Sequence, residues 1–239
     1  MNIDHLDRFI KGNSELSAHQ EYLDAIAKPS VDIAFAPGKP DNHATRFGGV
    51  PLVAKDFVWP EHPEGEYRFL GQINFSDIEN CPPDLPESGL LSLFYAFDED
   101  GEIFWGSDGY VLGFYWPDTD TLVLHPGDSD TPTSGKVILN TGKDIPRYEE
   151  LRQDWPFDTE ALYFIHNVLK VPEYYLLGYP SFDTLGYDPT PGDDWISLIT
   201  LDSEECMDWN WHDGSKLMVF IEKSKLKNKD FSNLKTDAG

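Results

Sequence analysis

Short apolar runs separated by turn residues make up most of the chain, and their spacing predicts sheet more often than helix. Residues 14–27 place Leu16, Leu23 and Ala27 on one stripe before Pro29, the pattern of an amphipathic helix. Residues 31–36 are a β-branched and aromatic run stopped by Pro37-Gly38. Further strands are predicted at 69–75, 90–97, 103–105, 111–116, 121–124 and 137–140. Asp100-Gly101 and Asp108-Gly109 supply the turn chemistry that tight hairpins require. Asp158 can cap a second helix that runs to Leu169 and stops before Pro172. Strands at 196–201 and 216–221 complete the series. The expected fold is α+β, predominantly antiparallel β with a few flanking helices, in a single domain over 1–239.

A long-period similarity runs through this pattern. Gly49-Val50-Pro51 is matched by Gly178-Tyr179-Pro180, the strand at 69–75 by 195–201, Cys81 by Cys206, and the Gly-led strand at 89–94 by 214–220. Each half reads as a Gly-x-Pro turn, a loop with Trp, an apolar strand, an acidic loop, a glycine and a second apolar strand. Two pseudo-repeated β-units are therefore expected, at 45–97 and 175–222.

Charge falls on the same units. The chain has 43 acidic and 18 basic residues, a formal charge of −25. Residues 69–134 hold thirteen Asp or Glu and no Lys or Arg, and 171–215 hold ten more and again no cation. Six lysines lie from Lys216 onward. Such acidity repels nucleic acid and anionic membranes, so neither is expected as a partner. Seven Trp, 11 Tyr and 15 Phe argue against a disordered chain. No apolar run reaches the roughly 18 residues of a membrane span. Met1-Asn2-Ile3-Asp4-His5 does not open a secretory signal, and two cysteines make no disulfide framework, so a cytoplasmic monomer is expected.

Motifs for catalysis or metal binding fail on spacing. The seven histidines form no His-x-His and no His-Glu-x-x-His, so no metal is expected. An EF-hand register with Gly101 at loop position six puts Ala96 and Ser107 where carboxylates belong. A phosphate loop ending at Ser134-Gly135-Lys136-Val137 would need glycine at Asp130, and Val137 cannot ligate magnesium. Acidic neighbours disfavour a thiolate at Cys81 or Cys206, and their matched positions suggest small buried residues. Neither a cofactor nor catalytic residues are assigned. Tryptophans beside abundant carboxylates leave a carbohydrate or peptide cleft open. The binding candidates are Trp59, Gln72, Trp195, Trp211, His212 and Asp213.

The block Thr45-Arg46-Phe47-Gly48-Gly49-Val50-Pro51, followed by Lys55-Asp56-Phe57-Val58-Trp59-Pro60, resembles the opening signature of the YwqG-like family, bacterial proteins without an assigned biochemical function. The resemblance continues through Phe69-Leu70-Gly71-Gln72-Ile73-Asn74, residues 85–91 and Leu177-Gly178-Tyr179-Pro180, and closes at Trp211-His212-Asp213-Gly214. It departs where Ser181-Phe182-Asp183-Thr184 replaces a segment that commonly holds glutamine, and where His212 replaces a glycine. The resemblance implies a compact α+β fold and supplies no catalytic residues. On physical grounds, Gly48, Gly49 and Pro51, with Gly178 and Pro180, suit turns needing positive φ and then a fixed φ. If the face of Gln72 is buried, its amide needs partners inside, with a bond to the glycine turn favoured over a ligand. The leading functional expectation is a non-enzymatic acidic module that binds a basic protein, as an inhibitor or immunity protein does. The alternative is a small-molecule or carbohydrate binder, or a hydrolase, using an aromatic and carboxylate cleft between the units.

Overall fold

Two antiparallel sheets, packed on one shared set of apolar side chains, carry the fold. The structure is a computed structural model, described over residues 3–127, 131–146, 154–158, 160, 172–181 and 184–239. The larger sheet orders β12 (Leu234–Ala238), β11 (Lys216–Glu222), β10 (Trp195–Asp202), β9 (Tyr175–Leu177), β1 (Lys28–Ala36) and β8 (Lys136–Asp144). The smaller orders β2 (Arg46–Phe47), β4 (Glu66–Asn74), β5 (Leu90–Phe97) and β6 (Val111–Trp116). A third, two-stranded piece joins β3 (Leu52–Val53) to β7 (Val123–Leu124). Short helices α1 (Ile3–Gly12), α2 (Ser14–Ala18) and α3 (Gln20–Ile26) precede the sheets, and α4 (Lys223–Lys227) follows β11. The α+β expectation therefore holds, with antiparallel sheet dominant.

Several local expectations give way for identifiable reasons. The helix over 14–27 splits at His19, whose φ of −116° and ψ of 22° end α2 and open α3. Leu16 and Leu23 still share the buried stripe, together with Leu6 and Ile10 of α1. The predicted strand at 103–105 is a turn instead. The Asp98 carboxylate accepts from the backbone N–H groups of Glu102 and Ile103, and Ser107 and Tyr110 close the next turns on Phe104 and Ser107. The segment 121–124 shortens to β7, while 137–140 extends into the nine-residue β8 along all of β1. The helix expected from Asp158 to Leu169 falls outside the described residues past Glu160.

The strands holding the Gly-x-Pro turns share one pairing scheme. In the smaller sheet, Arg46, Gln72, Ser92 and Phe114 stand side by side across β2, β4, β5 and β6. In the larger, Tyr175, Thr200, Met218 and Asp237 do the same across β9, β10, β11 and β12. The neighbouring rows are Phe47, Gly71, Leu93, Gly113 and Leu176, Ile199, Val219, Thr236. Both middle strands shift register once, between Phe69 and Gly71 in β4 and between Ser197 and Ile199 in β10. Each then runs into a 3-10 turn, capped by Asn74 in one case and Glu204 in the other. Gln72 thus stands opposite Thr200, two residues out from the match drawn in sequence. The cysteines do not correspond: Cys206 lies inside its 3-10 turn, whereas Cys81 lies beyond the turn at Phe75–Asp77.

Phe47, Leu93, Leu176, Ile199 and Val219 face the core between the sheets, joined by Trp209 and Trp211. Gly71 makes room there, since a Cβ would sit 2.5 Å from the Phe47 ring. The row through Gln72 points the other way, and its Arg46, Gln72 and Ser92 are buried all the same. Gln72 donates to Asn42 O at 2.8 Å and Ala44 O at 2.9 Å, and accepts from Leu52 N at 3.3 Å. Ser92 Oγ donates to Leu52 O and accepts from the Trp116 indole. The amide therefore clamps both arms of the glycine turn to β4 without touching the glycines. Within the turn, Gly48 and Gly49 have φ of 61° and 71°, and a Cβ on Gly48 would lie 1.9 Å from Pro132 O.

Urea unfolding midpoints test these roles. Gln72→Leu is expected to cost about 2–4 kcal/mol by stranding one buried and two part-buried backbone groups. Gly48→Ala should cost upwards of about 3 kcal/mol or prevent folding. Gly101→Ala, at a φ of 69° with open space around it, should cost only about 1 kcal/mol.

Candidate functional site

The turn after β9 has the backbone shape of the turn after β2, with different side chains holding it. Leu177 and Gly178 have φ of 59° and 71°, the same pair of values as the Gly48-Gly49 turn to within 2°. Tyr175 donates its hydroxyl to Tyr179 O at 2.8 Å, and Arg46 at the matching place donates to Val50 O and Gly48 O. Asp144 accepts from Tyr179 N and would collide with a Cβ on Gly178. The Arg46 guanidinium donates to these carbonyl oxygens and lies 5.7 Å from the Phe69 ring centroid, and burial pulls its pKa down to about 10. Gly48, Gly49, Pro51, Gly178 and Pro180 are thus buried structural positions.

The candidate binding residues do not converge. Trp211 is 3% exposed, packed against Tyr95 and Trp209, and lies in the core. Gln72 is wholly buried and its amide is committed to the three backbone bonds described above. Trp195 is half-buried at the start of β10. His212 and Asp213 form the turn that follows Trp211, with φ of 35° and 57°. Asp213 is exposed, and the His212 ring meets Trp105 edge-on at 5.1 Å. Trp59 lines a cavity of about 410 Å³.

Acidic side chains from both units do meet. Arg68, at the border of the first cation-free segment, lies between Glu66 of its own strand at 2.8 Å and Asp208 of the second unit at 3.5 Å. Its guanidinium also covers the Phe97 ring, 3.2 Å from the centroid. Lys216, at the border of the second segment, lies 3.0 Å from Glu173 and 3.8 Å from Asp202. Tyr174 donates its hydroxyl to Glu204, and Glu204 in turn caps Cys206 N. Next to these, Glu204, Glu205 and Asp208 line a shallow hollow with Trp209 and Asn210. The sequence pattern showed the absence of cations but could not show that Arg68 and Asp208, 140 residues apart, share one face.

Titration follows from this crowding. Burial, then Glu204, raises the Tyr174 phenol. Asp202 is raised first by burial and then by Glu173 and Glu204, against the lowering effect of Lys216. Cys206 is exposed rather than buried as its sequence match suggested, and desolvation together with Glu204 raises its thiol. Cys81 is half-buried and raised by burial and Glu87.

Fold and site together define an antiparallel β protein with an acid-rich face spanning two similarly paired strand runs. Residues 45–237 match the family described as a domain of unknown function, DUF1963, and the chain belongs to that family. No curated protein matches it. No helix among the described residues is long and apolar enough to cross a membrane.

Alkylation of Cys206 by iodoacetamide, followed by mass spectrometry across pH, checks the local field. The midpoint is expected above that of a free cysteine, because nearby carboxylates disfavour the thiolate. Glu204→Gln should move it down, and an unchanged midpoint would show that Glu204 does not act there.

Proposed function

We propose that the protein is a non-enzymatic binding module whose acidic face captures a basic protein. The carrying observation is the state of the two cations at that face: Arg68 and Lys216 each already sit between two carboxylates. Glu205 and Asp213 stay exposed beside them. A partner that brings its own Lys or Arg side chains meets unspent negative charge there, and the field of the whole −25 chain speeds its approach. Two free thiols, Cys81 and Cys206, suit a reducing, cytoplasmic setting for that encounter.

We also infer that the two strand runs are copies of one ancestral unit, centred on 45–97 and 175–222. The shared rows, the matching register shifts, the capped 3-10 turns and the paired positive-φ residues support this. The chain is on this reading a YwqG-like member of its family.

A pull-down from native extract at low salt, repeated at high salt, tests the binding role. A basic protein should be retained and then released by salt. The combined substitution Glu204→Gln, Glu205→Gln and Asp208→Asn should abolish retention without shifting the unfolding midpoint by more than about 1 kcal/mol. Capture that ignores both salt and these substitutions, or no capture at all, would leave the charge with solubility alone.

A further inference from the structure

The cavity beside Trp59 borders the shared core through Tyr67 and Phe69 and the acidic face through Glu66 and Arg68, and its wall is built from fixed parts. Trp59 donates its indole N–H to Tyr67 O at 2.9 Å and meets Phe94 edge-on at 5.0 Å and His125 at 4.8 Å. Facing it, the chain turns between Glu61 and Glu66, which form a β-bridge across the turn that carries His62. Gly65 permits that turn, because a Cβ would lie 2.3 Å from Phe97 O.

The two histidines share a local device. His62 Nδ1 accepts from Glu64 N at 3.2 Å, and His125 Nδ1 accepts from Gly127 N at 3.2 Å. Both lie in a His-Pro-x turn. A ring nitrogen that accepts carries no proton, so these bonds assign each imidazole the Nε2–H tautomer. Neither Nε2–H has a partner among the described residues, and neither has the Glu61 carboxylate. Glu66 is shared with Arg68.

We propose that this cavity binds a neutral polyhydroxylated ligand, a monosaccharide or short glycan. Its lining offers two imidazole donors, two carboxylate acceptors and an aromatic wall. A hydroxyl group satisfies both kinds of partner at once, since it donates and accepts, and a ring of hydroxyls does so on every side. A phosphorylated ligand would meet Glu61 and Glu66, and the nearest cation, Arg68, is already held by two carboxylates. A cationic ligand would meet that guanidinium and two N–H donors. An apolar ligand would strand the carboxylates. Among the described residues no group of three or more His, Cys, Asp or Glu side chains could hold a metal ion. The volume, about 410 Å³, falls in the range of small-ligand sites, roughly 300–1,000 Å³.

Saturation-transfer NMR and tryptophan-fluorescence titration of the full chain test this, with a panel of methyl glycosides, inositol and common disaccharides. At least one neutral member should bind saturably and perturb indole emission. Glu61→Ala and His62→Ala, both at the solvent-facing turn, should each weaken it about tenfold or more with the urea midpoint unchanged. The proposal is overturned if no neutral sugar saturates up to roughly 20 mM. Binding indifferent to both substitutions, or binding confined to sugar phosphates or amines, overturns it as well. A failed capture of a basic protein bears on the acidic face alone and leaves this result independent.

Discussion

A single buried amide holds the first unit together. Gln72 sits on β4 with no solvent exposure, and its side chain replaces water for three backbone groups from the segment that wraps over the sheet. Buried peptide groups without partners cost far more than the bonds themselves return, so the wrapping segment can dry out only where such a side chain stands. That covering segment carries the glycine turn, β3 and Trp59. The shape of the cavity beside Trp59 therefore depends on the same clamp.

The second unit solves the same packing problem differently. Thr200 stands where Gln72 stands, equally buried, but its hydroxyl is too short to span to the turn and has no hydrogen-bond partner among the described residues. Ser181, just past the second Gly-x-Pro turn, is also buried, and its hydroxyl has no partner among the described residues. Here the turn is anchored instead from the next two strands of the sheet, by Gly178 N bonded to Pro29 O of β1 and by Asp144 at the end of β8. Addition of β1 and β8 to this side makes the larger sheet six strands wide while the smaller stops at four. On the other side of the molecule β6 and β12 come close, where Gly113 admits Phe231.

Electrostatics and core packing are coupled through one residue pair. Arg68 leaves β4 and reaches Asp208, whose φ of 57° turns the chain toward Trp209 and Trp211 in the core. The acidic loop is thus tied to the tryptophans that fill the space between sheets. This explains why Trp211 lies in the core while Glu205 and Asp213, a few residues away, are exposed.

Much of this was readable along the chain. Short apolar runs bounded by turn residues located β4, β5, β6, β10 and β11, because a strand covered on both faces carries apolar groups in succession. The positive-φ positions at Gly48, Gly49 and Gly178 were readable because glycine is the residue that adopts them without strain. Segments lacking Lys and Arg were visible by inspection. What the linear pattern left undecided were quantities that depend on through-space neighbours. Trp59 and Trp211 are alike in sequence, yet one lines a cavity and the other fills the core, since exposure is set by which sheet packs above each ring. Whether the two β-units lie in one sheet or two was equally open, because strand pairing within a unit is local whereas the assignment of units to sheets is made by the packing between them. Composition and period determined the strands, the turns and the acidity; the tertiary structure alone decided that Arg68 meets Asp208 and that Gln72 clamps a segment some twenty to thirty residues away, because those bonds exist only once the chain has closed on itself.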